Sequence, residues 1–320
     1  MRRALIVGIN HYPEHPLTAS INDARRMDQL LKEHEDESPN FDCQLFVSSE
    51  DPAKAQVTQK FLRMKLLELF ANEADVVLFY FSGHGVKTEL STCLAAQDYQ
   101  PYHEGISMIE LMTMANQSRA REVIIILDCC HSDDVGNSPY AENNITMIRD
   151  GVSIITSSRN YQVSKATKGQ FSTLTKFICQ ALEGGGADLQ GHVNITRVYN
   201  YAETVLSSWQ QRPSLKTYRS SGVTLREVDP PIPVKRLRLI TKYFKKPDDF
   251  LQLDPEYEHT VEPRVAEKEE IMADLQMYRN SGLLVPVSHD HLYYAAMHAG
   301  KCKLTALGKY YWERVSNKNI

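Results

Sequence analysis

The 320-residue chain contains no run of eighteen apolar residues, so a hydrophobic membrane-spanning helix is not expected. It has no C-x-x-C pair, and its six cysteines, Cys43, Cys93, Cys129, Cys130, Cys179 and Cys302, are scattered along its length. That pattern argues against a disulfide framework and against a zinc cluster. Most of these thiols are expected to be reduced and buried as small hydrophobes. Charge of one sign is also lacking. Lys and Arg number 36 against 40 Asp and Glu, for a net charge of −4. The chain as a whole therefore has no signature of a nucleic-acid or anionic-membrane binder. No internal repeat is visible, which removes solenoids and arrays. The apolar run at residues 4–8 is too short for the hydrophobic region of a leader and reads as a buried first strand. The expected location is cytoplasmic.

What the chain does have is an alternation of short apolar runs with helical patterns through residue 228. Residues 4–9, 45–48, 75–81, 122–127 and 152–156 read as strands. Residues 23–32, 55–70, 107–117, 170–182 and 195–209 read as helices, and 221–227 as a last strand. The strands 75–81 (Asp-Val-Val-Leu-Phe-Tyr-Phe) and 122–127 are apolar on both faces. Strands of that kind separated by helices predict an α/β fold with a mainly parallel sheet covered by helices on both faces. Such sheets carry function in the loops beyond the carboxyl ends of their strands. Two of those loops carry chemistry: Ser82-Gly83-His84-Gly85 and Asp128-Cys129-Cys130-His131-Ser132. Residues 133–150 follow as a polar loop.

Three prolines, Pro230, Pro231 and Pro233, mark a linker over 229–234 between a domain at 1–228 and a smaller one at 235–320. In the smaller domain 266–281 reads as a helix, 283–287 and 292–296 as a β-hairpin, and 304–315 as a helix. The order resembles a small α+β winged-helix module. Its basic run (Lys235, Arg236, Arg238, Lys242, Lys245, Lys246) is nearly balanced by acids such as Glu267, Glu269 and Glu270. A protein-recruiting role is expected there rather than nucleic-acid binding.

A cysteine nucleophile needs a neighbouring base and an exposed strand end to present it. If strands 75–81 and 122–127 are neighbours, His84 and Cys130 sit just past their ends. The imidazole can draw the proton from the thiol and later protonate a leaving amine. Backbone N–H groups near Gly85 and Cys130 are placed to hold an oxyanion. The flanking Gly83 and Gly85 allow a sharp turn and close approach of a substrate.

The motifs Val7-Gly8-Ile9-Asn10, Ile21-Asn22-Asp23-Ala24, Tyr80-Phe81-Ser82-Gly83-His84-Gly85 and Asp128-Cys129-Cys130-His131-Ser132 resemble the caspase domain of peptidase family C14. The likeness is to the metacaspase and bacterial caspase-like branch, and it continues through Gln170–Thr173 and Gln210–Ser214. It implies a caspase-like sandwich and a cysteine endopeptidase working through a thioester. It also implies that Cys130 rather than Cys129 is the nucleophile, with His84 as base. The pair is 46 residues apart, near the roughly 50 of caspases, although the caspase Q-A-C-[RQG]-G signature is absent.

The resemblance further implies an acidic S1 pocket of Asp23, Ser82 and Asp128 that selects Arg or Lys before the cut. Carboxylates there complement a basic side chain and repel an acidic one. It places loop 133–150 where relatives are cleaved during maturation, with Arg149 as a candidate self-cleavage site. No cofactor is expected, calcium being the one candidate, with Asp98, Asp133 and Asp134 as nearby acids.

Other readings stay open. Arg159 keeps cleavage after Asp in play, and His131 is a rival base. A weakly catalytic signalling adaptor and a DNA-associated regulator are the alternatives to a regulated effector protease. The expected partners are protein substrates and an activating or recruiting protein bound through 235–320.

Overall fold

A computed structural model describes residues 1–51, 54, 56–87, 92–100, 105–129, 148–157, 171–207, 213–218 and 220–320. It divides into two compact units, Met1–Ala187 with His192–Val228, and Asp188–Gly191 with Asp229–Ile320. The first unit contains β1 (Arg2–Gly8), α1 (Ser20–Lys32), β2 (Asp42–Val47), α2 (Gln59–Ala71), β3 (Val76–Ser82), β4 (Gly85–Lys87), β5 (Thr92–Leu94) and β6 (Ile106–Ser107). It continues with α3 (Met108–Gln117), β7 (Glu122–Asp128), β8 (Val152–Thr156), α4 (Thr173–Gln180), β9 (His192–Asn194), α5 (Ile195–Ser207), β10 (Ser214–Tyr218) and β11 (Thr224–Glu227).

Among the described residues the main sheet runs β10-β8-β7-β3-β1-β2. β2, β1, β3, β7 and β8 are mutually parallel, and β10 closes one edge antiparallel to β8. The apolar runs explain the central position of β3 and β7, because successive side chains enter opposite cores. Val77, Phe79, Phe81, Val123, Ile125 and Leu127 pack on one face with Leu62 and Leu66 of α2 and Leu111 of α3. Val76, Leu78, Tyr80, Ile124 and Ile126 pack on the other with Met27 and Leu31 of α1, Ile178 of α4 and Val198 of α5. Each large side chain so buried contributes roughly 1.5–3 kcal/mol. The α/β class and the helices on both faces match the expectation from sequence.

β10 and the small antiparallel sheet β4-β5-β6 have too little apolar alternation to be read from sequence. Helix α2 begins at Gln59 rather than residue 55, because the Thr58 hydroxyl caps it by accepting from the Phe61 N–H. Helix α4 begins at Thr173 rather than 170 because Ser172 is its cap.

The chain leaves β1 for β2 on one side and then crosses to β3 on the other. The strand order therefore reverses between β1 and β3, where open α/β sheets place their sites. Gly8, at the end of β1, lets α1 approach: a Cβ there would stand 2.3 Å from Ser20 O.

The second unit is α+β. It contains α6 (Val234–Leu237), α7 (Ile240–Tyr243), β12 (Phe250–Gln252), α8 (Ala266–Asn280), β13 (Leu284–Val287), α9 (Leu292–Met297), β14 (Lys301–Leu304) and α10 (Ala306–Ser316). Its antiparallel sheet runs β12-β14-β13. The hairpin expected from 283–287 and 292–296 is corrected in its second half. Leu292, Ala295 and Ala296 are buried at helical spacing and form α9, and the partner of β13 is β14. Within the proline-rich stretch, Ile232 is fully buried in this unit's core.

Candidate active site

His84 follows β3 by two residues and is partly exposed. Its position is set by the loop after β1. The Tyr12 hydroxyl accepts from the His84 backbone N–H at 2.9 Å and donates to Ala95 O at 3.2 Å. The Tyr12 ring lies against the imidazole, with centroids 4.6 Å apart and a 54° tilt. His84 Nε2 stands 2.6 Å from the His15 carbonyl oxygen. A carbonyl only accepts, so Nε2 carries the proton and Nδ1 of the neutral ring keeps its lone pair. His15 aims that carbonyl from a left-handed backbone conformation, φ 56°. Gly83 makes the arrangement sterically feasible, since a Cβ there would lie 2.5 Å from Tyr12 Oη and 2.8 Å from Phe81 Cζ.

β3 and β7 are adjacent, and Ser82 is in register with Asp128. The chain thus leaves β3 toward His84 beside the point where it leaves β7 at Cys129. Cys129 is buried against the β1–β3–β7 core, and its carbonyl accepts from Ser157 Oγ at 2.6 Å. Cys130, His131, Asp133, Asp134 and Arg159 lie outside the described residues. Gly85 opens β4 directly beyond His84.

The three residues expected to form the acidic pocket are brought together. Asp23 sits in the first turn of α1 with no solvent exposure. Its carboxylate accepts from Ser82 Oγ at 3.0 Å and from the Ser172 N–H at 2.9 Å. Asp128, at the end of β7, accepts from the Ser172 hydroxyl, from Thr175 Oγ1 at 2.6 Å and from the Thr175 N–H at 3.2 Å. Ser172 therefore bridges the two carboxylates at the N-terminus of α4, a position that favours negative charge. Burial raises the Asp23 carboxyl above its ordinary range, to about 7, and the neighbouring Asp128 adds to the rise; the accepted hydrogen bonds oppose it. Asp128 is also raised by burial. Among the described residues no Lys or Arg forms an ion pair with either. Ser172 and Thr175 were not assigned a role from sequence, although Phe171-Ser172-Thr173 belongs to the segment that carries the family likeness.

Arg149 is placed elsewhere, ahead of β8 at the amino ends of the central strands. Its N–H donates to Asn116 Oδ1 at 3.0 Å, and its guanidinium to Ala120 O at 2.6 Å and Asp150 O at 2.5 Å. Asp98 accepts from the Gln59 N–H at the start of α2. Among the described residues there is no group of three His, Cys, Asp or Glu arranged to hold a metal, and no helix is long and apolar enough to cross a membrane.

A family model for the caspase domain, peptidase C14, matches residues 1–221. Metacaspase-1 of Kluyveromyces lactis is 26% identical over 162 residues, covering 47% of this chain and 37% of the relative. Metacaspase-5 of Trypanosoma brucei brucei is 28% identical over 156 residues, covering 43% and 30%. The chain thus matches about a third of the length of these relatives. Among solved structures, the Drosophila initiator caspase Dronc aligns with a TM-score of 0.48 at 11% identity, covering 68% of this chain and 80% of that one. Caspase-1 from Spodoptera frugiperda aligns with a TM-score of 0.47 at 15% identity, covering 71% and 92%. With its strand-end histidine, its paired carboxylates and a family match over more than half its length, the chain belongs to the caspase-domain family, peptidase C14.

Proposed function

We propose that the protein is a cysteine endopeptidase that cuts proteins after Arg or Lys, with His84 and Cys130 as its dyad. The observation that carries this reading is the register of Ser82 with Asp128, because His84 and Cys130 each lie two residues beyond that pair. His84 Nδ1, the ring nitrogen left with the lone pair, takes the proton from the Cys130 thiol. The thiolate sulfur bonds to the scissile carbonyl carbon, and the N–H groups of Gly85 and Cys130 hold the resulting oxyanion. Collapse breaks the C–N bond, and the imidazolium returns its proton to the departing amine. A thioester remains. Water, deprotonated by the same Nδ1, displaces the sulfur and releases the new carboxylate.

The basic preference rests on electrostatics. Asp23 is fully buried and Asp128 beside it partly so, both raised in pKa, with no cation paired to them among the described residues. A substrate guanidinium or ammonium supplies the missing charge and draws both into the ionised state. The second unit acts as the recruiting or regulatory module. Tyr293, Tyr294, Leu307 and Tyr310 give it exposed apolar surface for a protein partner.

The test is hydrolysis of fluorogenic peptides ending in Arg, Lys or Asp, with calcium or a chelator, by the intact protein and by Cys130→Ala. Cleavage after Arg or Lys, absent in the variant, is the expected result. Cleavage after Asp overturns the pocket and moves attention to Arg159. No labelling by a thiol-directed peptide probe overturns the peptidase.

A further inference from the structure

We infer that Tyr12 is a positioning residue for His84. The inference rests on the peptidase reading for its catalytic meaning, but its geometry stands independently. Tyr12 is almost fully buried, and its hydroxyl is spent on two backbone groups far along the chain. It accepts from the His84 N–H and donates to Ala95 O, the residue whose own N–H donates to His84 O at 3.0 Å. One phenol thus ties both strands of the small sheet entrance where His84 turns. Its ring supports the imidazole face at 4.6 Å. Three residues further along the same loop, the His15 carbonyl holds Nε2. Ring face, backbone amide and ring nitrogen are all held by the segment 12–15.

That segment is itself anchored. Ser48 Oγ, at the end of β2, accepts from the N–H groups of Asn10 and His11 at 2.9 and 3.1 Å. Leu17 N–H donates back to Asn10 O at 2.8 Å, closing the loop. The loop therefore has little freedom at either end, and Tyr12 transmits its position to the histidine. Burial raises the Tyr12 phenol pKa well above its ordinary value, so the hydroxyl stays protonated and keeps its donor role across the working pH range.

Tyr12→Phe separates positioning from packing. The ring and its volume remain, and the hydroxyl that accepts from His84 and donates to Ala95 is lost. The expected result is a kcat reduced about tenfold or more on Arg peptides with KM changed less than twofold, because the histidine acts in the chemical step and not in side-chain recognition. Tyr12→Leu removes the ring as well and lowers kcat further. The readout that does not depend on activity is the His84 ring Nε2–H signal in selectively 15N-histidine-labelled protein. Held by the His15 carbonyl, it exchanges slowly with water in the parent and faster in Tyr12→Phe. An unchanged Nε2–H signal in Tyr12→Phe overturns the inference whatever the activity. So does a lowered Tm with kcat per folded molecule intact, the mark of a purely structural tyrosine. A parent protein that neither turns over peptide nor takes a thiol-directed probe overturns the peptidase reading alone, and the exchange measurement still decides the role of Tyr12.

Discussion

Ser82 lies directly opposite Asp128 in the parallel ladder of β3 and β7, and their side chains meet through Asp23 and Ser172. One register thus fixes two things. It sets the chain leaving β3 toward His84 beside the chain leaving β7 at Cys129, and it places Asp23 and Asp128 in one cluster at those strand ends. A one-residue slip of β3 against β7 would leave Ser82 and Asp128 on opposite faces of the sheet and separate the pair.

The two adjacent cysteines should respond oppositely to substitution. Cys130→Ala is expected to lower turnover at least a thousandfold and leave Tm within about 1–2 °C, since on the proposed mechanism it removes the nucleophile alone. Cys129 is buried in the core, so Cys129→Ser places a hydroxyl where a thiol packed and lowers stability by about 1–2 kcal/mol. Its kcat per folded molecule stays within a few-fold of the parent. Thermal unfolding and active-site titration of both variants check the pair.

The contribution of Asp23 to stability should fall as pH rises through the acidic range. The Asp23 carboxyl is raised from 3.8 to about 7, so between those values the folded state binds more protons than the unfolded state. Its share of the unfolding free energy then decreases with increasing pH over that window, opposite to that of a carboxylate whose pKa is lowered on folding. Asp23→Asn removes this contribution and leaves that of Asp128, whose carboxyl burial also raises. It should also lower kcat/KM on Arg peptides at least a hundredfold, mainly through KM. Unfolding curves from pH 4 to pH 8 of parent and variant decide the matter.

Ser172 gives a prediction that sequence reasoning did not reach. Its hydroxyl caps α4 and donates to Asp128, while its N–H donates to Asp23. Ser172→Ala keeps the second bond and loses the first. It is expected to cost about 1 kcal/mol of stability and to raise KM for basic peptides, with Ser172→Thr restoring most of both. A KM unchanged in Ser172→Ala would show that the bridge only caps the helix.

The uneven legibility of this molecule has physical causes. β3 and β7 are apolar on both faces and could be read directly, as could the glycine-flanked His84. Asp23, Ser82 and Asp128 were reached through the family likeness, and their meeting depends on strand order, which no local pattern encodes. Ser172 and Tyr12 escaped because a hydroxyl carries no periodic signature. Each gains its role from a partner far along the chain, Asp128 for one and His84 for the other. In the second unit, α9 was mistaken for a strand because six residues span too few turns to separate a period of 3.6 from one of 2.

Gly83 is a steric prediction. A methyl group there meets the Tyr12 hydroxyl at 2.5 Å and Phe81 Cζ at 2.8 Å, both from well-packed side chains. Gly83→Ala is therefore expected to lower stability by about 1–3 kcal/mol through overpacking and to displace His84 from its partners. Turnover should fall more steeply than the folded fraction, measured by circular dichroism and peptide hydrolysis on one sample. Proportional losses would mean that the glycine serves folding alone.

Processing after Arg149 should be intermolecular. Arg149 precedes β8 and is tied to Asn116 and Ala120 near the amino ends of the strands, whereas His84 lies beyond their carboxyl ends. A strand of five residues spans roughly 17 Å, and the arginine must also surrender its bonds to Ala120 and Asp150 to enter a pocket. One molecule cannot bring its own Arg149 to its own His84, the proposed base, while the sheet is intact. The rate of appearance of fragments cut after Arg149 is thus expected to rise with the square of protein concentration, and inactive Cys130→Ala should be cut when mixed with active protein. First-order appearance, independent of dilution, would instead require β8 to leave the sheet. Arg149→Gln distinguishes the site itself: it should remove the fragment and lower Tm, because the same guanidinium serves as a structural donor in the uncut chain.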